Sequence, residues 1–414
     1  MATVTVMTAE DRREILRRGS SGPVHQGLIP LGGWYGQEEM DAIRQVLEHG
    51  ARYWVGFGGG PYVSRFEEEF AAYVGTKYAL AVNSCGTGLD LVMKILDLEP
   101  GDEVITTPIT YIATSHAIMA AGGTPVFADI GDGTFNIDPE HVERKMSPRT
   151  RAILPVHNNG LSADMDALLD IAERHPHPKH GPVPVFGDAA RACGAGYKDT
   201  KVGKRGTANV FSFQTSKNMT TLGEGGMITT DEEWVARRTR RLHTFGWDRW
   251  EGESVLVEPG FNYRMTGIQA AVGSVQLAKL DQMNERRRER AARLTALLQA
   301  AAPGIQTPIE PEGYTHIYYG YTVMVPKEWA GEKRDRFIER MQQDYQVGGV
   351  VMNFAVTKYP MLRKLGYDPQ DTPRALEHGD RLFCLPLHPQ LTDQDLEYIA
   401  AAVGETFDKM AMER

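Results

Sequence analysis

Apolar positions along the chain change their period more than once, and each change marks a different kind of element. From Gln37 to Leu47, Met40, Ile43, Val46 and Leu47 recur at helical spacing with Gly50 just beyond them, which predicts an amphipathic helix closed at that glycine. Trp54 to Pro61 is so rich in glycine that a loop is predicted. From Tyr78 onward the pattern shortens to compact apolar runs: Ala79–Val82, Val104–Thr107, Pro125–Ala128, Ala152–Val156, Val183–Phe186, Val210–Phe213 and Met227–Thr229. Runs of this length bounded by polar turns read as buried strands. Helix-length stretches such as Thr110–Ala121 and Met165–Arg174 separate several of them. Strand and helix alternating over about 150 residues predict an α/β fold, a mostly parallel sheet with helices on both faces.

A long helical stretch from Gly267 to Leu298, rich in Gln, Arg and Leu, then leads away from the sheet. Tyr318–Val325 and the amphipathic Arg334–Gln343 follow, and predict a smaller α+β domain reaching the C-terminus. The 414 residues are too many for one small core at roughly 150 residues per domain. The expected organisation is an N-terminal polar arm over residues 1–25, a large domain over 26–275 and a small domain over 276–414.

Composition narrows the function by exclusion. With 42% hydrophobic and 24% charged residues the chain has the make-up of an ordinary globular protein. A net charge of −9 with interspersed signs argues against a nucleic-acid partner. The one basic cluster, Arg286-Arg287-Arg288 with Arg290 and Arg293, falls in the long helical stretch and reads as a solvated face or a subunit contact. Cys85, Cys193 and Cys384 are odd in number and far apart, which gives neither a disulfide framework nor a metal signature. No signal peptide and no apolar span of about 18 residues is visible, so a cytoplasmic protein without a membrane contact is expected.

The chemistry gathers around Lys217. It follows the apolar run Val210–Phe213, stands among Thr215, Ser216, Thr220 and Thr221, and precedes Gly223-Glu224-Gly225-Gly226. An amine so placed suits condensation with an aldehyde cofactor. About thirty positions upstream, Val183–Gly187 delivers Asp188 at the end of a β run, where open α/β sheets place ligand chemistry. Pyridoxal 5′-phosphate (PLP) serves as an electron sink while its ring nitrogen is protonated, and a fixed carboxylate favours that form. A lone lysine is ordinarily surface and a lone aspartate ordinarily a cap; it is the pair that points to PLP.

Two further features extend the constellation. Asn83-Ser84-Cys85-Gly86-Thr87-Gly88 joins a strand to a helix and offers free N–H groups at a positive helix end, so Gly86, Thr87 and Gly88 form a candidate phosphate cradle. Relief of backbone strain is the alternative use of such glycines. Tyr111, on the next crossing, can stack on a pyridine ring or pack in the core.

Taken in order, Asp188-Ala189-Ala190, Phe211-Ser212-Phe213 with Lys217, Gly223–Gly226 and Asn262-Tyr263-Arg264-Met265 resemble the DegT/DnrJ/EryC1/StrS family of PLP-dependent sugar and cyclitol aminotransferases, of aspartate-aminotransferase fold type I. The resemblance spans about Leu31 to Val403. It implies that Lys217 forms the Schiff base and shuttles the proton, that Asp188 binds the ring nitrogen, and that Tyr111 and Ala190 sandwich the ring. It further implies that Ser212 joins the phosphate cradle and that Asn262 reaches the phosphate of a neighbouring subunit, which makes a homodimer the expected active unit. Glutamate or glutamine is the implied donor, and a keto sugar or keto cyclitol the implied acceptor, in a biosynthetic pathway. Tyr318-Tyr319-Gly320-Tyr321 resembles a segment of cyclitol aminotransferases, with core or interface packing as the alternative.

The chain departs from the family pattern in three places. Arg191 stands where Gln or His usually bonds the cofactor's phenolic oxygen; a cation there stabilises the phenolate and depresses the Schiff-base pKa. Leu222 adds one residue before the glycine turn, which alters a loop. Asn158 and Asn159 replace a more apolar pair, and read as solvent-facing turn residues or as substrate contacts. Arg191 and the asparagines leave open a PLP enzyme of another reaction type, a decarboxylase, cyclase or lyase. A non-catalytic regulatory protein on the same fold is the remaining alternative, although it has no need of an intact Lys217.

Overall fold

One reversed strand organises the sheet. The computed structural model describes residues 6–24, 34–53, 56–57, 60–252 and 254–413. In it Gly226–Thr230 runs antiparallel between Tyr78–Val82 and Ala208–Ser212. Every other main-sheet pairing is parallel: Phe186–Asp188 with Ala208–Ser212, and Glu103–Thr106 with both Thr124–Phe127 and Thr150–Leu154. Parallel bridges Ile153↔Val185 and Val156↔Asp188 join the two halves into one sheet. The reversal follows from connectivity, because no crossover helix lies between Ser212 and Gly226 to bring the chain back in the parallel sense. All seven predicted apolar runs lie in or beside a strand of this sheet, so the α/β expectation holds with one antiparallel member.

Both faces are covered. One core layer packs Phe66, Phe70, Phe211 and Phe213 edge-on or tilted, with ring centroids 5.1 Å apart for Phe70–Phe211 and 5.5 Å for Phe66–Phe213. The long helix Gly267–Ala301 lies against this layer, and Gly273 admits the Phe66 ring where a Cβ would sit 2.6 Å from it. The other layer packs Leu89, Val92, Met93 and Ile118 under the sheet.

The helix expected to stop at Gly50 continues to Tyr53. A glycine inside a helix costs about 1 kcal/mol relative to alanine, and tertiary anchors on the same helix outweigh that. Buried Glu39 accepts from Gln276 Nε2 and Lys279 Nζ, each at 2.8 Å, and ties the element to the long helix. The glycine-rich loop expected over Trp54–Pro61 lies in part outside the described residues, as does the 25/26 boundary of the expected arm.

Within that arm Ala9–Arg18 is a helix, opened by a capping box between Thr8 and Asp11. Buried Arg12 pairs with Glu405 at 3.0 Å on the C-terminal helix Asp393–Met412, which explains why a polar segment is ordered here. Around it Tyr321–Met324 pairs antiparallel with Leu382–Leu385, and helix Glu332–Tyr345 brings its Phe337 into a separate core with Val323 and Phe383. The arginine cluster on the long helix is not uniformly solvated. Arg287 is 1% exposed and donates to the carbonyl of Leu387 at 3.2 Å, because its face of the helix turns towards the C-terminal core.

Candidate active site

Asp188 ends its strand alongside Val210 of the strand that leads into the Lys217 loop. Both groups therefore emerge at the C-terminal edge of parallel strands, and the helices Cys85–Lys94 and Ala113–Ala120 begin at that same edge. The Lys217 loop is closed by Thr215 N–H donating to Gly223 O at 2.9 Å and Thr221 N–H to Phe213 O at 3.0 Å. Leu222, the added residue, adopts φ 59° at an exposed bulge of the loop, as expected of an insertion.

Asp188 is 4% exposed and forms no ion pair among the described residues. Its Oδ2 accepts the hydroxyl of Thr114 at 2.8 Å and its Oδ1 the N–H of Ala190 at 3.1 Å. Burial pushes this carboxyl above its ordinary range, against the opposing pull of Thr114, Ala190, Lys217 and Arg191. Beside it Gly187 has no room for a side chain: a Cβ would come 1.9 Å from Asn209 Oδ1 and 2.7 Å from His157 Nε2.

Arg191 is 8% exposed. One arm of its guanidinium donates to Asn353 Oδ1 at 2.8 Å, and Nη1 has no partner among the described residues. Lys217 Nζ lies 3.4 Å from the phenolic oxygen of Tyr319 and 4.7 Å from the centre of its ring. Thr114, Tyr319 and Asn353 are thus site residues that the sequence reading missed or left in the core. Thr114 carried a faint signal, standing one helical turn after Tyr111; Asn353 carried none.

The expected phosphate cradle is narrower than its three residues suggest. Gly88 N–H is used by Ser84 O at 3.1 Å, and a Cβ there would sit 2.6 Å from Val210, so this glycine serves helix-to-sheet packing. Thr87 N–H is capped by Ser84 Oγ at 3.1 Å and its hydroxyl donates to Asn83 Oδ1 at 2.7 Å. Only Gly86, exposed at the helix start, keeps an N–H without an acceptor among the described residues. Ser212 is buried at the end of its strand opposite Gly226. Tyr111 is 65% exposed, which removes the core-packing alternative for it, and Ala190 is half-buried.

Asn262 is exposed and accepts from Arg264 Nε at 2.9 Å, on a segment tied to Asn83 through Tyr263 O at 2.8 Å. Asn158 and Asn159 are buried, not solvent-facing. Asn158 Nδ2 donates to Ile109 O at 2.8 Å and Phe135 O at 2.7 Å, which makes it a tie between loops. A separate cavity of about 270 Å³, lined in part by Glu67, Arg240, His243, Trp247, Arg249 and Arg264, includes none of Lys217, Asp188 and Arg191.

A buried carboxylate without a protein counter-ion, an unpartnered guanidinium nitrogen and an amine on one sheet edge suit a protonated pyridine ring bearing a phenolate and an aldehyde. The fold is that of the type I PLP-dependent aminotransferases, and residues 35–404 match the model of the DegT/DnrJ/EryC1/StrS aminotransferase family. The chain belongs to that family, and is a PLP-dependent aminotransferase. It is 39% identical to the spore coat polysaccharide biosynthesis protein SpsC of Bacillus subtilis, over 89% of this chain and 94% of SpsC. The structure of DesV from S. venezuelae, in complex with a ketimine intermediate, shares 32% identity at a TM-score of 0.79 and covers 99% of each chain. The putative sugar aminotransferase Spr1654 from Streptococcus pneumoniae, in its PMP form, superposes at a TM-score of 0.84 with 25% identity, over 92% of this chain and 98% of its own.

Proposed function

We propose that the enzyme moves an amino group from glutamate or glutamine to a keto sugar in a biosynthetic pathway, with Lys217 and Asp188 as its catalytic residues. The observation that carries the assignment of the site is that Lys217 is near enough for its charge to act on Asp188, a buried carboxylate that forms no ion pair among the described residues. Names such as sugar aminotransferase and polysaccharide biosynthesis protein among its relatives support a sugar acceptor.

Bound PLP supplies the electron sink and carries the nitrogen from donor to acceptor. Asp188 would hold the ring nitrogen's proton, with Thr114 keeping that carboxylate's Oδ2 aimed. Arg191 Nη1 would bond the phenolic oxygen, and Gly86 N–H and Ser212 would hold the phosphate together with Asn262 of the partner subunit, Thr87 and Gly88 N–H being engaged within their own helix start. Tyr111 and Ala190 would cover the two ring faces. Lys217 would serve as the base that takes the proton from the substrate carbon and later gives it back. The working unit is a homodimer, built of a large domain to about residue 275 and a small domain beyond it, acting in the cytoplasm. No helix among the described residues is long and apolar enough to cross a membrane.

The test is a half-reaction. Purified enzyme loaded with PLP should convert glutamate or glutamine to the 2-oxo acid, and Lys217→Ala should lose both that conversion and the visible absorption of the lysine-bound coenzyme. A Lys217→Ala protein that keeps both overturns the assignment.

A further inference from the structure

Tyr319 stands between cations, and its placement is built. It lies on the segment that connects Tyr314–Thr315 to the strand Tyr321–Met324, 6% exposed. The turn Asn158–Gly160 supports that segment: Gly160 O accepts from Ile317 N–H at 3.0 Å, and Gly160, at φ 97°, lacks the Cβ that would come 2.9 Å from Tyr319 N. The buried asparagine turn is therefore a cradle for Tyr319.

The phenolic oxygen is 3.4 Å from Lys217 Nζ and 3.4 Å from Ser216 Oγ. Ser216 Oγ also lies 2.6 Å from Gln214 Oε1, and its one proton can go to that amide or to the phenol oxygen. The phenol can therefore turn its own proton towards Nζ, or accept from Nζ and Ser216 once that proton has moved. Arg191 Cζ lies 5.6 Å from the ring centre, and the charge of wholly buried Arg287 is also felt at this phenol. Burial raises the pKa of Tyr319, and Lys217, Arg191 and the bonds from Ser216 and Lys217 more than reverse it, leaving the phenol below its ordinary range. Burial likewise pulls the Arg287 guanidinium down to about 10, with Tyr319 opposing.

We propose that Tyr319 is a positioning residue for Lys217, its oxygen holding Nζ in place and exchanging one proton with it. Phenol and neutral amine become phenolate and ammonium, and the same proton returns when the amine is needed as a base. The O–H bond of the ring breaks as the N–H bond forms, so atoms and charge balance without any further reactant. This rests on the reading of Lys217 as the reacting amine, and it accounts for the tyrosine standing beside Lys217 with Arg191 near its ring.

The experiment uses Tyr319→Phe, which keeps the ring and removes the oxygen, with Lys217→Met as a second variant. In coenzyme-free protein, ring-labelled tyrosine NMR should show one phenol ionising below the others; it should vanish in Tyr319→Phe and move to higher pH in Lys217→Met. In the loaded enzyme, the single-turnover rate with glutamate or glutamine should fall roughly ten- to a hundredfold in Tyr319→Phe, the scale of one charge-assisted hydrogen bond. Its isotope effect with donor deuterated at the α-carbon should rise, and coenzyme binding and melting temperature should hold. An unchanged single-turnover rate and isotope effect, or a low phenol indifferent to Lys217→Met, overturns the proposal. Loss of the reading itself would show differently, as Lys217→Ala retaining the half-reaction while the phenol still responded to Lys217.

Discussion

Thr114 gives its hydroxyl to Asp188 at 2.8 Å, and that bond links the start of one crossover helix to the end of a strand 74 residues later. Among the described residues the aspartate forms no ion pair, so the threonine fixes its orientation without neutralising it. Replacing Thr114 with Val keeps the shape and removes the donor. Stability of the coenzyme-free protein should drop by about 1–3 kcal/mol, the penalty for a buried charged acceptor left unpaired, and PLP should bind more weakly. Denaturant unfolding and coenzyme titration check the two effects; full PLP affinity in Thr114→Val would show that Asp188 needs no such support.

Asp188 also gives a prediction whose sign depends on the ligand. Its carboxyl is raised by burial, so its folded form holds a proton that the unfolded chain gives up. That contribution to stability is complete below the unfolded carboxylate range and is lost as pH rises through the folded value. Coenzyme-free Asp188→Asn should therefore match or exceed the wild type in melting temperature at neutral pH. With PLP added the order should reverse, because only the carboxylate matches a pyridinium proton. Melting curves with and without PLP at two pH values decide it.

The strands were legible in the sequence because buried strands must be runs of apolar residues, and the proposed pair stood out because Asp188 ends one such strand and Lys217 lies in the loop just past another. Thr114, Tyr319 and Asn353 were not, since each acts through a contact between elements far apart in the chain, which periodicity does not encode. Gly88 misled for a related reason: a glycine near a helix start reads the same whether its N–H is free or its missing Cβ makes room for Val210. The helix Ala9–Arg18 was masked by its polarity, its order coming from ion pairs such as Arg12–Glu405.

The glycines give a direct comparison. Gly86→Ala meets nothing closer than Ser84 Oγ at 3.7 Å, whereas Gly88→Ala places a Cβ 2.6 Å from Val210 Cγ1. Gly88→Ala should destabilise the fold by about 1–3 kcal/mol through overpacking, and Gly86→Ala should leave stability within about 1 kcal/mol while weakening PLP. Parallel urea titrations and coenzyme binding curves separate the two positions.

Arg191→Gln should cut one cation from the site and the 2.8 Å tie to Asn353. A positive charge beside the lysine-bound coenzyme opposes protonation, so its removal should move the pH midpoint of the visible colour change upward. An unmoved midpoint would mean that the unpartnered Nη1 does not face the coenzyme.

Acid stability turns on imidazoles buried without charge. Burial pulls His157 down to about 4, His243 to about 4, His316 to about 3 and His388 to about 4. Each takes up a proton on unfolding once pH drops below the unfolded histidine value of about 6.5, at up to about 1.4 kcal/mol per pH unit. Asp188 and Glu67 run the other way, since burial raises both carboxyls and favours the fold as pH falls. Those two act between the unfolded carboxylate value of about 4 and their raised folded values, so they oppose the histidines inside the same window, two carboxyls against four rings. Stability should therefore fall steadily between about pH 6.5 and 4, and the slope should shrink in His157→Gln, whose neutral side chain can still accept the N–H of Ala163 that Nδ1 holds at 3.0 Å. Urea unfolding at half-unit steps measures that slope, and a flat profile over the window would show that these rings are protonated within the fold.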